Sequence, residues 1–154
     1  MADIVDASTR SIMMSRIKAK NTKPEVLIRK KLFANGFRYR LHDKNLPGKP
    51  DMIFQKYNAV ILFNGCFWHV HDCELFRWPL SRVKFWKNKL SGNKKRDKEN
   101  IEALKNLDWR ILIIWECSYR STKKKDWKQI DVIAGKAMKW LKSGRSHLEI
   151  RSAP

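Results

Sequence analysis

The chain has 154 residues, enough to bury a core of its own, and no apolar run approaches the roughly 20 residues of a membrane span. Lys and Arg number 34 against 15 Asp and Glu, a formal charge of +19, which selects a polyanionic partner, nucleic acid first. An anionic membrane is the rival, but the basic residues run along the whole chain instead of gathering beside an amphipathic anchor. Residues Met1 to Asp6 have none of the features of a signal peptide, so the cytoplasm is the expected location.

Ser8 to Ile17 reads as a basic helical arm, capped by Ser8 or Thr9, that either packs on the core or lies against a nucleic-acid backbone or groove. Thr22-Lys23-Pro24-Glu25 has capping-box spacing with a proline in the first turn. The helix it opens carries Val26, Leu27, Ile28, Leu32 and Phe33 on its apolar side and stops at Asn35-Gly36. Glu25 thus has a structural explanation as a capping residue, and a catalytic role would be additional. Phe37 to Leu41 alternates apolar and basic residues, the pattern of a half-buried strand. After a polar loop, the prolines and glycine of Leu46-Pro47-Gly48-Lys49-Pro50-Asp51 deliver Asp51 to the mouth of a second strand, Met52 to Phe54. A carboxylate in that position is either a ligand for a hard cation such as Mg²⁺ or a turn-forming Asp after Pro.

The apolar run Ala59 to Phe63 reads as a buried strand, and Gly65 ends it. The ten residues Asn64 to Cys73 hold two of the three cysteines, two of the four histidines and the aromatic pair Phe67-Trp68. Beyond an irregular stretch from Glu74 to Leu80, Ser81 is placed to cap a helix through Phe85, Trp86 and Leu90. A second helix with Ile101, Leu104 and Leu107 is expected after Gly92-Asn93. Arg110 to Trp115 is a strand running into Glu116-Cys117, and Ile130 to Leu141 outline a last amphipathic helix. The expected organisation is one mixed-sheet α/β domain over residues 1–154, with a basic arm at 1–20 and a loosely held tail at 144–154.

An odd number of cysteines would leave one thiol out of any disulfide scheme, and a cytoplasmic chain keeps its thiols reduced. Cys66, His71 and Cys73 have spacings that suit one Zn²⁺, and Cys117 can complete a closed, structural Cys₃His site. His69 is the competing ligand, and unliganded buried cysteines are the plainer alternative. If His71 is the ligand, His69 is left beside Trp68 for proton transfer. Seven tryptophans is a high count for this length. Trp109 and Trp115 belong with the core, whereas Trp68, Trp78, Trp86 and Trp127 sit among charges and suit stacking on opened bases.

Four separated motifs, Met14 to Glu25, Leu46 to Asp51, Gly65 to His69 and Trp115 to Cys117, recur in this order and spacing in one family. Up to about residue 120 the chain resembles the very short patch repair (Vsr) DNA mismatch endonucleases. The resemblance implies a restriction-endonuclease-like fold and a Mg²⁺-dependent enzyme that nicks one strand beside a thymine–guanine mismatch in double-stranded DNA. It implies that Asp51 ligates Mg²⁺ beside the main-chain carbonyl of Phe63, that Glu25 holds water of that ion's shell, and that His69 is the acid/base. It further implies that Cys66, His71, Cys73 and Cys117 hold structural zinc, and that Phe67, Trp68 and Trp86 wedge into DNA. A monomer is expected, in the cytoplasm at the nucleoid, with mismatch-repair accessory proteins as candidate partners.

One catalytic position departs from the family pattern. Where its better-known members have His and many relatives Asp, this chain has Asn64, whose amide hydrogen-bonds water but cannot take its proton. Two other readings therefore compete with the nicking enzyme. One is a zinc-stabilised DNA-binding protein with weak or lost nuclease activity, and the other is an RNA-binding accessory protein.

Overall fold

The computed structural model describes Ser8, Thr9 and residues 21–152, so the expected basic arm, those two residues apart, lies outside the described residues. Five strands form one mixed sheet in the order β1 (Arg40–Leu41), β2 (Met52–Phe54), β3 (Ala59–Asn64), β4 (Arg110–Trp115) and β5 (His147–Ile150). β1, β2 and β3 are antiparallel neighbours, while β3–β4 and β4–β5 are parallel. Helix α1 (Lys23–Ala34) precedes the sheet, α2 (Val83–Asn106) connects β3 to β4, and α3 (Gln129–Leu141) connects β4 to β5.

Both faces of the central strands are covered, as a parallel pair requires. Met52, Phe54, Ile61, Leu112 and Ile114 pack on one face with Ile28 and Leu32 of α1 and Ile133, Ala137 and Trp140 of α3. Their alternating neighbours Ile53, Val60, Ile111 and Ile113 point to the other face and meet Leu104 of α2. Arg110 pins the start of β4 to the end of α3, donating to the carbonyls of Tyr57, Trp140, Leu141 and Arg145.

Three expectations are corrected. Only Arg40 and Leu41 of the expected strand Phe37–Leu41 pair with the sheet. The preceding residues turn to α1 instead, where Arg38 donates to the Phe33 carbonyl at 3.1 Å and the Tyr39 hydroxyl donates to the Arg29 carbonyl at 3.0 Å. The tail expected to be loose holds β5, with Leu148 and buried Ile150 in the main core. A four-residue parallel edge strand has no local partner in sequence, so its pattern is weak until β4 supplies the register.

The two helices expected on either side of Gly92-Asn93 are one helix of 24 residues. Asn93 turns its amide outward to the Trp68 carbonyl at 3.1 Å, so it does not compete for the helix backbone. A methyl group at Gly92 would meet only the Arg96 guanidinium, at an ordinary 3.5 Å. Gly92→Ala is therefore expected to raise stability by roughly 1 kcal/mol, the interior-helix difference between the two residues. Urea denaturation reads it, and a loss of stability would contradict the continuous helix.

Candidate functional site

The site gathers at the carboxyl ends of β3 and β4, where the parallel register places Asn64 opposite Trp115. Beyond β3 the chain coils tightly: His69 N–H donates to the Gly65 carbonyl at 3.2 Å and His71 N–H to the Cys66 carbonyl at 3.0 Å. Val70 is held at φ +49, a left-handed conformation that a β-branched residue rarely adopts. That turn brings His71 back under Cys66. The donor atoms of Cys66, His71, Cys73 and Cys117 all lie within 4.8 Å of one another. His71 Nδ1 is 3.6 Å from Cys66 Sγ and 3.5 Å from Cys117 Sγ. Cys66, His71 and Cys117 are buried and Cys73 is half-buried, an arrangement able to hold one divalent ion. The cluster includes His71 and not His69.

The C-terminal segment braces this cluster. Ser152 N–H donates to Cys117 Sγ at 3.3 Å, and Arg151 donates to both the carboxylate and the carbonyl of Asp72, at 2.6 and 2.9 Å. Glu149 on β5 accepts the Trp115 indole N–H at 2.7 Å, and the Trp115 ring stacks on His71 with centroids 3.8 Å apart. None of these four contacts was legible in the sequence, since each joins residues separated by more than thirty positions or depends on β5.

His69 faces the other way and pairs through Nδ1 with Asp97 of α2. Asp97 belongs to no motif of the sequence. The available signal was its being the only acidic residue between Glu74 and Glu99. Asp51, at the head of β2, accepts the Phe63 N–H at 2.7 Å through Oδ2. His42, likewise in no motif, lies with Nδ1 3.6 Å from Asp51 Oδ1. Burial, with the nearby Glu25 carboxylate adding to it, pushes the Asp51 carboxyl up to about 7, against the opposing pull of the Phe63 N–H and His69. Glu25 is itself buried, accepts the Asn21 N–H at 3.0 Å, and is raised by that burial. Asp51, Glu25 and His69 thus share one electrostatic neighbourhood, with Asn64 one residue past the Phe63 N–H.

Phe67, Trp68 and Trp86 form one ring cluster beside this carboxylate site. Phe67 meets Trp68 and Trp86 edge-on at 5.1 and 5.4 Å, and the two indoles are 6.0 Å apart. All three rings are half-buried, so each keeps a solvent-facing edge.

The raised Asp51 group has a signed consequence for stability. With a folded pKa of about 7 against an unfolded 3.8, its contribution is present below the unfolded value and is lost as pH rises to about 7. At about 1.4 kcal/mol per unit, the loss is on the order of a few kcal/mol. Urea denaturation across pH 4 to 8, without added divalent cations, should show wild type losing stability relative to Asp51→Asn over that window. Parallel pH curves for the two proteins would contradict it. The brace makes a second prediction: Arg151→Ala should release the ion of the Cys/His cluster to a chromogenic chelator several-fold faster, with little change in secondary structure.

Residues 2–75 match the family model for the DNA mismatch endonuclease Vsr. The chain is 43% identical over 121 residues to the type II nicking enzyme V.NmeAIP of Neisseria meningitidis serogroup A, covering 79% of this chain and 86% of that protein. It is 42% identical over 124 residues to the DNA mismatch endonuclease Vsr of Escherichia coli K12, covering 80% of each. The type II nicking enzyme V.XorIIP of Xanthomonas oryzae pv. oryzae is 38% identical over 117 residues, which are 76% of this chain and 86% of that protein. With the family model and these relatives in agreement, the chain belongs to the Vsr DNA mismatch endonuclease family.

Proposed function

We propose that this protein is a Mg²⁺-dependent endonuclease of restriction-endonuclease-like fold that nicks one DNA strand at a thymine–guanine mismatch. The observation that carries the reading is the half-buried Asp51 carboxylate against the Phe63 N–H, in one neighbourhood with Glu25 and His69. Two carboxyl groups, both raised by burial in spite of the nearby Arg29 and with Glu25 adding to the rise of Asp51, suit a hard cation. Within a strand, the N–H and C=O of one residue point to the same edge. The Phe63 carbonyl therefore points to the side on which its N–H meets Asp51, and these two groups would hold Mg²⁺ with Glu25 behind them. The cation supplies charge neutralisation at the scissile phosphate.

The remaining roles belong to side chains of the chain itself. His69 is oriented by Asp97 at Nδ1, so that nitrogen carries the proton and Nε2 is the basic end that can take or return one. Asn64 orients water by hydrogen bonding and takes no proton. Phe67, Trp68 and Trp86 offer ring faces to an opened base step, which is opened at least expense where pairing is already weak. The enzyme acts on double-stranded DNA as a monomer in the cytoplasm, and the described residues include no helix long and apolar enough to cross a membrane.

The Cys/His cluster fits zinc. A thiolate and an imidazole sharing one tetrahedral ion, at roughly 2.3 and 2.0 Å bonds, stand about 3.5 Å apart. The Nδ1–Sγ separations of 3.5 and 3.6 Å match that edge. Four protein donors leave no position for substrate, so zinc would serve structure and hold the loop that carries Trp68 and His69.

The two metals are separable by mutation. Cys73→Ser should lower the melting temperature and the zinc content. Asp51→Asn should keep the zinc and abolish Mg²⁺-dependent nicking of a thymine–guanine duplex, and His69→Ala should do the same. Zinc content, melting temperature and nicking rate on the three variants decide it. Nicking by Asp51→Asn at the wild-type rate would remove the catalytic reading, and loss of zinc from His69→Ala would remove the division between the two histidines.

A further inference from the structure

The aromatic cluster does not stop at Phe67, Trp68 and Trp86. Phe76 tilts against Phe67 at 6.2 Å, and Trp78 meets Phe76 edge-on at 5.1 Å. At the other end Phe85 meets Trp86 at 5.2 Å, with the Arg82 guanidinium laid over Phe85 at 4.2 Å. Six rings thus form one continuous band, and its outer members are the exposed ones. Trp78 is 42% exposed and Phe85 44%, while Leu80, two residues from Trp78, is 67% exposed. Large apolar side chains left exposed along one connected band mark a contact surface.

Charge identifies what that surface meets. From Leu75 to Arg96 the chain carries eight Lys and Arg and no Asp or Glu. A segment whose exposed apolar residues stand among basic residues alone, Arg77 beside Trp78 and Arg82 over Phe85, is complementary to a nucleic-acid groove edged by phosphates. A protein partner of ordinary composition would leave those cations without counter-charges.

Spacing limits how the band can be used. Its six rings meet edge-on or tilted at centroid distances of 5.1 to 6.2 Å, so they are not stacked to fill one gap in a duplex whose base pairs rise about 3.4 Å. The whole band cannot enter one opened step. If the central rings occupy that step, Trp78, joined to Phe67 through Phe76, falls outside it, and Leu80 follows two residues on.

We propose that Trp78 and Leu80 form a second apolar contact in the groove of the intact duplex flanking the opened step, with Arg77 on its phosphates. The inference rests on the reading of Phe67, Trp68 and Trp86 as the rings that enter DNA, and it extends the recognised site into one flanking arm. That contact is made whether or not the opened step contains a mismatch. It should therefore add affinity for a duplex of sufficient length and add little to discrimination between mismatched and perfect DNA.

The test compares wild type, the double variant Trp78→Ala/Leu80→Ser, Arg77→Gln and Trp68→Ala. Affinity is measured by fluorescence anisotropy on mismatched and perfectly paired duplexes whose arms are shortened a base pair at a time. All the altered side chains except Trp68 are exposed, and equal melting temperatures verify the fold. The double variant should bind both duplexes roughly tenfold more weakly. Its deficit should vanish once one particular arm has been trimmed, and trimming the other arm should leave it unchanged. Arg77→Gln should reduce the salt slope of binding by about 1, as loss of one phosphate contact does. Trp68→Ala should instead lose more affinity on the mismatched duplex.

A double variant that binds like wild type at every arm length would overturn the proposal, and would leave the exposed crest to a protein partner. A deficit confined to mismatched DNA and independent of arm length would also overturn it, by placing Trp78 and Leu80 in the opened step. If wild type shows no preference for the mismatch yet the arm-dependent deficit persists, the flank contact stands and the wedge reading falls.

Discussion

Register between two parallel strands is the constraint on which the rest of the site depends. Asn64 ends β3 directly opposite Trp115 at the end of β4, so Cys66 and Cys117, each two residues further on, leave the sheet side by side. Both thiols then stand within 3.6 Å of His71 Nδ1. Trp68 and His69 lie between Cys66 and His71, so their segment is anchored at both ends. Helix α2 completes the placement from outside: Asn93 holds the Trp68 carbonyl and Asp97 holds the His69 ring. A shift of register in β3–β4 by one residue would separate the two cysteines and release the ring and the imidazole together.

The same sheet end sets up an electrostatic opposition. A chain with a net charge of +19 holds one buried carboxyl group, Glu25, near a partly buried one, Asp51, and Glu25 adds to the cost of ionising Asp51. Glu25 is fixed by α1, whose entry it helps to cap through the Asn21 N–H, and Asp51 by β2, through the Phe63 N–H of its neighbour strand. Neither can withdraw to solvent without undoing an element of the fold. The net positive charge attracts a polyanion, while the paired carboxyl groups locally suit a cation. The long-range field and the local field thus have opposite signs.

Much of this was legible in the residues because its signals are local. The buried strand at Ala59–Asn64, the helix from Lys23 with its stop at Asn35-Gly36, and the apolar strand at Arg110–Trp115 each carry their own periodicity and punctuation. The donor set Cys66, His71, Cys73 and Cys117 was legible as residue types, while the choice between His69 and His71 turns on the left-handed Val70, which nothing in the sequence announces. What escaped was non-local or ambiguous. Gly92-Asn93 has the composition of a break, but Asn93 finds a partner on another segment and the helix runs through it. Residues 147–150 look like a tail because their strand partner is some 36 positions away, and that hidden strand is what brings Glu149, Arg151 and Ser152 to the cluster.

Asn64 is best understood against the charge already present. Asp51 is held up to about 7 by burial and by Glu25, and a third carboxylate one residue beyond Phe63 would make its ionisation harder still. A histidine there would act in the opposite sense when protonated, and would add a second proton carrier. The amide does neither: it keeps the hydrogen-bonding capacity of the position and leaves the charge balance to Asp51, Glu25 and the imidazole of His69. In the proposed mechanism, proton transfer then falls to His69, whose ring is fixed by Asp97. An amide at position 64 would thus exchange a second acid/base for a simpler electrostatic site, and leave the His69–Asp97 pair as the part of that mechanism with the least redundancy.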